Sequence, residues 1–217
     1  MIKGITQRVK SFPLNASERE RFDFEVIAGW IKPGERVLDL GCGDGRLLRF
    51  LQETKKVSGY GIEISDDSVL ACIKNGVNII QIDIEGGLSG FENGSFDHVI
   101  LSQSIQAMFS TERILSEMLR VAHEAVLSFP NFAFRANREA ILQGHMPVSE
   151  DLPFEWYNTP NVRFFTIADF EALCQGMEIE IRERLTFDEQ GLPVSDDPNL
   201  NGSLAFYHLG HLAGTAS

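Results

Sequence analysis

The sequence predicts an α/β fold in which helices cover both faces of a parallel β-sheet. Three observations support this class. Strand-like and helix-like segments alternate from residue 17 to residue 129. The strand-like segments are almost continuously apolar, which is typical of strands buried on both faces. A glycine-rich turn follows the first strand, where open α/β sheets commonly bind ligands.

Composition narrows the classes of protein to which the chain can belong. Its 217 residues, 43% of them hydrophobic, are enough for one sizeable core. The net charge of −12 disfavours nucleic acid and anionic membrane surfaces as partners. The sequence has no long apolar run and no apolar signal region near Met1, so we expect neither a membrane span nor secretion. Three scattered cysteines suggest no disulfide framework and favour a cytoplasmic protein.

Patterning along the chain suggests the limits of the domain. We expect residues 1–16 to be a flexible arm, residues 17–212 to be a single domain and residues 213–217 to be a tail. Residues 130–165 are rich in aromatic residues, Asn and Pro, and they are expected to form a lid-like insertion that includes a helix at about 134–142.

The first helix and strand have clear boundary signals. The capping-box pattern Ser17-Glu18-Arg19-Glu20 opens a helix, and Lys32-Pro33-Gly34 ends it. A buried strand follows at residues 36–40. After the glycine turn, Leu47, Leu48 and Leu51 mark one face of the next helix.

The following elements continue the alternation. Ser65 is a plausible N-cap for a helix over residues 66–75, which Gly76 would stop. Strands are expected at residues 57–64, 77–82, 96–101 and 125–129, and a helix at 111–121. Beyond the insertion we expect a helix at 166–175, a half-exposed strand at 179–182, a polar loop at 188–202 and a last strand at 204–209.

The sharpest motif is the glycine turn Asp39-Leu40-Gly41-Cys42-Gly43-Asp44-Gly45. A dinucleotide fingerprint needs another glycine three residues after Gly43, where this chain has Arg46. Two acids in the turn would repel a phosphate and attract a cation, such as the ammonium and sulfonium of S-adenosylmethionine. Asp39 is the candidate partner of the ammonium, and the glycines would admit the ligand. The alternative is a strand-to-helix turn that uses glycine for its geometry alone, and Cys42 fits best as a small space-filling residue.

Two further acids stand where a nucleoside would need them. Glu63 follows Gly43 by 20 residues, the usual distance to an acid that binds both ribose hydroxyls, and Ile64 could flank the adenine. Asp83 could accept a hydrogen bond from the adenine amino group, with Ile84 beside the ring. The alternatives are a solvated carboxylate at a strand end for Glu63 and a helix cap for Asp83.

These three segments resemble the motifs of class I S-adenosylmethionine-dependent methyltransferases. The resemblance implies a three-layer, Rossmann-like sheet of seven strands, mostly parallel, with the last strand inserted antiparallel. It also implies that S-adenosylmethionine or S-adenosylhomocysteine is the cofactor. Gln103, which follows the fourth strand, lies where such enzymes contact the sulfonium end of the cofactor.

Residues 24–187 resemble one narrower group, the MetW methionine-biosynthesis proteins. Three segments specific to that group carry the resemblance: Ser128-Phe129-Pro130-Asn131-Phe132, Met146-Pro147-Val148-Ser149 and Leu152–Asn161. Membership implies a role beside homoserine O-acyltransferase (MetX) in methionine synthesis. The chain departs from the group at Ala133-Phe134-Arg135, where Gly-His/Tyr-Trp is usual.

The acceptor side has no comparable motif. Methyl transfer needs alignment and a dry site, and it needs a base only when the acceptor starts protonated. No residue is therefore singled out as catalytic. The candidates near the acceptor are Gln106, Asn131, Arg135, Trp156, Tyr157 and Arg163, each of which has an ordinary turn or lid role as its alternative.

The sequence predicts neither a metal site nor acyltransferase chemistry. His123, His208 and His211 form no metal-spaced set with cysteines or acids. No G-x-S-x-G elbow is present, so the chain is not expected to be the acyltransferase itself.

Two functions follow from these expectations. The first is methyl transfer to a small molecule. The alternative is a non-catalytic accessory subunit of MetX that senses S-adenosylmethionine. An enzyme needs an open space beside the methyl group, whereas a sensor could have that space sealed by the loop at residues 154–165. The lack of an N-P-P-Y motif after the fourth strand slightly favours the accessory role.

Overall fold

A computed structural model of the chain describes residues 16–212. The tail expected at residues 213–217 lies outside this range, as does the expected arm except for Ala16, which begins the first helix. Within the range, no helix is both long enough and apolar enough to cross a membrane.

Helices and strands alternate as the sequence predicts. The first half comprises α1 (Ala16–Ala28), β1 (Arg36–Leu40), α2 (Arg46–Lys55), β2 (Ser58–Glu63), α3 (Asp66–Lys74), β3 (Ile79–Gln81), β4 (Phe96–Ser102), α4 (Thr111–Val121) and β5 (Ala122–Pro130). The second half comprises α5 (Arg135–Leu142), α6 (Ile167–Gly176), β6 (Ile179–Phe187), α7 (Pro198–Asn201) and β7 (Leu204–His211).

The strands form one seven-stranded sheet in the order β3-β2-β1-β4-β5-β7-β6. Strands β1 to β5 pair in parallel, while β7 runs antiparallel to both of its neighbours, β5 and β6. The expected mostly parallel sheet with an antiparallel last strand is confirmed. Strands β2 and β3 lie on one side of β1, and β4 and β5 lie on the other. The strand order therefore reverses between β1 and β4, and a crevice opens there at the carboxyl ends of the strands.

Alternate residues of the sheet contribute to two separate cores. Val37, Ile100 and Val126 face α1 and α2 in one core. Leu38, Val99 and Leu127 face α4 and α6 in the other. The sheet is therefore covered on both faces, and the three-layer architecture is confirmed.

Some boundaries differ from the expected ones. Strand β5 begins at Ala122 rather than at residue 125, because Ala122 and Glu124 already pair with Phe96 and His98 of β4. The polar loop at 188–202 contains the short helix α7, with Pro198 at its first position. Helix α1 ends at Ala28, so Trp30 packs from the connection to β1 rather than from the helix.

Candidate functional site

A crevice of about 860 Å³ lies over the carboxyl ends of β1, β2, β3 and β4. Six of the ten residues expected to bind the cofactor line it: Gly41, Glu63, Ile64, Asp83, Ile84 and Gln103. Its lining includes four carboxylates and no Lys, Arg or His among the described residues. The crevice therefore suits a ligand that carries positive charge.

The glycine turn needs its glycines for two different reasons. Gly43 has a φ of +56°, a left-handed conformation that favours glycine, and open space lies where its side chain would point. Gly45 precedes α2, and a Cβ there would lie 3.0 Å from the Cys72 sulfur and 3.1 Å from a Val77 methyl carbon. The turn therefore packs tightly on α3 while its opposite side stays open.

Asp39 lies beneath this turn, at the end of β1. It is 2% exposed, and its Oδ2 has no hydrogen-bond partner within residues 16–212. Burial, together with repulsion from Glu63, raises the pKa of Asp39 to about 7. A buried carboxylate without a donor is costly, so this side chain is suited to a ligand that brings one.

Glu63 joins the glycine turn to the end of β2. Its Oε2 accepts a hydrogen bond from the Gly43 backbone N–H at 3.0 Å. Its Oε1 accepts from Ile64 N at 2.8 Å and Ser65 N at 3.1 Å. A carboxylate has about four acceptor sites, so about one remains for a ligand hydroxyl.

The third predicted acid has a structural role as well as a place in the crevice. Asp83 lines the crevice, and its Oδ1 accepts from the Glu85 backbone N–H at 2.9 Å at the start of a single 3₁₀ turn. The helix-capping role, which is the alternative to adenine binding for Asp83, is therefore present in the structure. Ile64 is exposed at the crevice wall, where an aromatic ring could cover it.

Two acids that the sequence did not single out are associated with the crevice: Asp23 contacts the lining residue Gln103, and Asp151 is itself in the lining. Gln103 donates a hydrogen bond from its amide to Asp23 of α1 at 2.6 Å. Burial and the nearby Asp151 raise the pKa of Asp23 to about 8. Asp151 lines the crevice with its side chain 10% exposed, and its Oδ1 lies 3.4 Å from Arg19. No spacing could reveal these contacts, because they join segments that are 80 or more residues apart.

Among the acceptor-side candidates, Gln106 lines the crevice and Asn131 does not. Gln106 donates from its amide to Gln103 O at 2.7 Å, and its Oε1 has no partner within the described part of the chain. Asn131 is fully buried and bonded to backbone groups of the segments before α6 and β7. Asn131 therefore has the structural turn role that is the alternative to a place on the acceptor side.

The other four candidates also lie outside the crevice. Arg135 lines a separate shallow depression and donates to Asn201 at 2.7 Å. Trp156 and Tyr157 are 71% and 69% exposed. Arg163 donates to Phe109 O at 2.8 Å, on the outer side of the crevice wall. From this loop, Pro153, Phe154, Pro160 and Asn161 line the crevice instead.

Cys42 packs behind the glycine turn, as a space-filling residue would. Its sulfur lies 3.8 Å from the Cys72 sulfur of α3. Burial and the nearby Asp39 raise the pKa of the Cys42 thiol, which disfavours a thiolate nucleophile.

Comparison with known sequences gives a family match over most of the chain. The family model described as "Methionine biosynthesis protein MetW" matches residues 21–209. The bifunctional methionine biosynthesis protein MetXA/MetW of Rhodopirellula baltica is 38% identical over 196 residues, which are 84% of this chain and 32% of that protein. The chain thus spans about a third of the length of this relative.

Comparison with solved structures gives the fold. A SAM-dependent methyltransferase of Thermotoga maritima superimposes with a TM-score of 0.63 at 18% identity, over 89% of this chain and 95% of that one. The [4+2]-cyclase SpnF superimposes with a TM-score of 0.67 at 18% identity, over 91% and 83%. The second is named for a cyclisation, so the shared fold does not fix the reaction.

Proposed function

The chain belongs to the MetW family of methionine biosynthesis proteins, and from this premise we propose that its crevice binds S-adenosylmethionine. The proposal rests on one observation above the others. Asp39 presents a buried carboxylate oxygen that has no partner among residues 16–212, beside an acidic crevice that would repel a phosphate. The ammonium of the methionine moiety would supply the missing donor.

In this proposal each predicted residue has one task. Asp39 binds the ammonium, and the backbone from Gly41 to Gly45 contacts the methionine moiety. Glu63 accepts a hydrogen bond from the ribose at the acceptor site that its backbone contacts leave free. Ile64, Asp83 and Ile84 surround the adenine.

We propose methyl transfer to a small molecule as the function of the bound cofactor. The crevice volume of about 860 Å³ is near the upper end of the range of about 300–1,000 Å³ for small-molecule sites, which favours space for a second ligand. The exposure of Trp156 and Tyr157 supports an open site, since neither ring covers it. Gln103 and Gln106 would orient the acceptor, and Asp151 is the crevice carboxylate available to take its proton.

Calorimetric titration with S-adenosylhomocysteine tests cofactor binding. We expect micromolar affinity, about −8 kcal/mol. Asp39→Asn and Glu63→Gln should each weaken binding at least tenfold. Asp44→Asn is the matched control, because Asp44 lies in the same turn but pairs with Arg46 at 2.6 Å outside the crevice lining. Wild-type affinity in both variants would refute the site.

A labelling experiment tests methyl transfer separately. The protein is incubated with S-adenosylmethionine carrying an isotopically labelled methyl group and with a small-molecule extract of cells. Mass spectrometry should detect a labelled product that disappears in the Asp39→Asn variant. Cofactor binding without any labelled product would count against the enzyme and in favour of the second function.

The second candidate function is that of an accessory subunit of homoserine O-acyltransferase. It is favoured by the Rhodopirellula relative, whose name joins MetXA and MetW in one chain. The exposed rings of Trp156 and Tyr157 pack edge to face, 5.7 Å apart, and offer an apolar contact surface.

Co-purification with the acyltransferase tests this candidate. The two proteins should elute together, to a different extent with and without S-adenosylhomocysteine. Trp156→Ala with Tyr157→Ala should abolish co-elution, whereas Leu70→Ala, an exposed apolar residue on α3, should not. Separate elution of the wild-type proteins under both conditions would exclude a stable complex.

A further inference from the structure

A cluster of ionisable side chains lies at the end of the sheet opposite to the crevice. His98, Glu124 and His208 stand on the neighbouring strands β4, β5 and β7. The Glu124 Oε2 atom is 2.9 Å from His98 Nε2 and 2.7 Å from His208 Nε2. Each of the three side chains offers a ligand atom, and these atoms all lie within 4.8 Å of one another.

This cluster is enclosed by the connection between α1 and β1. His98 is 1% exposed, and the Trp30 ring stacks on the His208 ring with the centroids 5.6 Å apart. Trp30 is itself held by a 2.7 Å hydrogen bond from its indole N–H to Glu183. The side chains are therefore held in a partly desolvated space rather than on an open surface.

His98 is flanked by carboxylates on both sides. Its Nδ1 lies 3.1 Å from Oε2 of Glu35, and its Nε2 faces Glu124. Neither ring nitrogen has a well-formed hydrogen bond with any described residue. A neutral imidazole has one N–H and one lone pair, so one of its two nitrogens must face a carboxylate oxygen without a proton between them. The arrangement lacks one positive charge.

The missing charge can be a proton or a metal ion, and the surroundings favour the metal. Three side chains already offer ligand atoms within 4.8 Å of one another, and neither His98 ring nitrogen has a hydrogen bond with a described residue. A metal ion on Nε2 would leave the proton on Nδ1, which would then donate to Glu35. This carboxylate–histidine–metal arrangement is the usual way in which a second carboxylate orients a ligating histidine.

We propose that Nε2 of His98, Nε2 of His208 and Oε2 of Glu124 bind a divalent transition-metal ion, and that this ion is zinc. Two imidazoles and one carboxylate are a common zinc donor set, with water at the fourth position. Bound atoms about 2.0–2.1 Å from zinc lie roughly 3.3 Å apart. Oε2 would therefore withdraw by roughly half an ångström from its present contacts with the two nitrogens. Arg182 contacts the other oxygen of Glu124, Oε1, so Oε2 is the oxygen that faces the two histidines.

Such an ion would join three strands and the turn that carries Glu35. Sequence spacing could not reveal the set, because residues 98, 124 and 208 are brought together by strand register. His98 pairs with Glu124, and His208 pairs with Val126 two residues further along β5. The proposal replaces the expectation, based on spacing, of no metal site.

Zinc titration of chelator-treated protein tests the site. Competition with a chromophoric chelator should show one zinc ion per chain, and binding should raise Tm. Substituting Co²⁺ should give the visible absorption of a four-coordinate site. His98→Gln, His208→Gln and Glu124→Gln should each weaken zinc binding at least tenfold. Glu35→Gln, which removes only the orienting carboxylate, should weaken it less.

The matched control is His145→Gln, since His145 is an exposed histidine on a loop. A Cys42→Ser, Cys72→Ser variant excludes the two thiols behind the glycine turn, whose sulfurs lie 3.8 Å apart, as the zinc ligands. His208→Gln and Glu35→Gln remain informative if His98→Gln fails to fold. Three results would overturn the proposal: no stoichiometric zinc, equal affinity in the ligand variants and in His145→Gln, or NMR evidence at neutral pH that both His98 nitrogens carry protons.

Discussion

At the scale of single residues, the crevice depends on carboxyl groups kept in unfavourable surroundings. Asp39 is buried with one oxygen unpartnered within residues 16–212, and its pKa is raised to about 7. Glu63, in contrast, accepts three backbone N–H groups. The two acids therefore differ in what they offer a ligand. Asp39 offers a buried negative charge that a cationic ligand group would neutralise. Glu63 offers a hydrogen-bond acceptor whose position is fixed by its backbone contacts.

The raised pKa of Asp39 predicts that cofactor affinity depends on pH. An ammonium binds the ionised carboxylate, and protons compete with it below the pKa of about 7. Affinity for S-adenosylhomocysteine should therefore fall about tenfold from pH 8 to pH 6. Calorimetry across this range measures the fall, and Asp39→Asn should bind weakly with a flat profile. An unchanged slope in the variant would assign the titration to another group.

Asp23 predicts an effect of pH on stability. Between its ordinary pKa of 3.8 and about 8, the folded protein keeps a proton that the unfolded chain releases. The contribution of Asp23 to the free energy of unfolding thus decreases as pH rises through this window. Asp23→Asn, which keeps an oxygen for Gln103, should raise Tm at pH 7 and change it little at pH 4. Thermal denaturation at both pH values measures the difference, and an equal shift at both would contradict the prediction.

At the scale of elements, Asn131 links segments that are distant in sequence. It follows β5, donates to Asn199 O and Gly202 O, and accepts from the Ala133 and Ile167 backbone N–H groups. It thereby fixes the start of α6 and the segment before β7 to the end of β5.

Asn131→Ala is expected to lower the free energy of unfolding by about 3 kcal/mol, because several buried backbone groups lose their partners. Urea denaturation measures the loss. The exposed Asn158, substituted in the same way, should cost less than about 0.5 kcal/mol. Similar costs for the two variants would mean that the buried network contributes little.

The elements themselves could be predicted from local signals. The N-cap Ser65 and the apolar face of α4 gave helices close to those observed, since capping and periodicity are encoded within a few residues. Local signals do not predict the start of β5, because His123 and Glu124 are polar, although Ala122 and Glu124 pair with β4. Local signals do not predict the contacts of Asp23 and Asp151, because only the tertiary fold brings Asp23 to Gln103 and Asp151 to the crevice.

At the scale of the whole molecule, the two candidate sites occupy opposite ends of one sheet. The crevice lies at the carboxyl ends of β1 to β4, and the histidine cluster lies near the amino ends of β4 and β5. A residue in either site therefore makes no direct contact with the other, and coupling would have to pass along the strands.

This separation predicts that the sites act independently. His208→Gln should leave the affinity for S-adenosylhomocysteine within about twofold of wild type, because it disturbs neither the glycine turn nor the crevice lining. Calorimetry on zinc-loaded and on chelator-treated protein compares the two affinities for S-adenosylhomocysteine. A larger change would reveal energetic coupling through the sheet.

The position of β7 between β5 and β6 has a consequence for biosynthesis. Until the ribosome has released residues 204–211, β5 and β6 have no common neighbour. Both then present unpaired backbone groups to other nascent chains. The pairing of β7 with β5 joins residues as far apart in sequence as Glu124 and Gly210. Contacts between such distant residues slow folding. We therefore expect ribosome-bound intermediates that stop before β7 to bind chaperones and to be cleaved readily by proteases, and the finished chain to resist both.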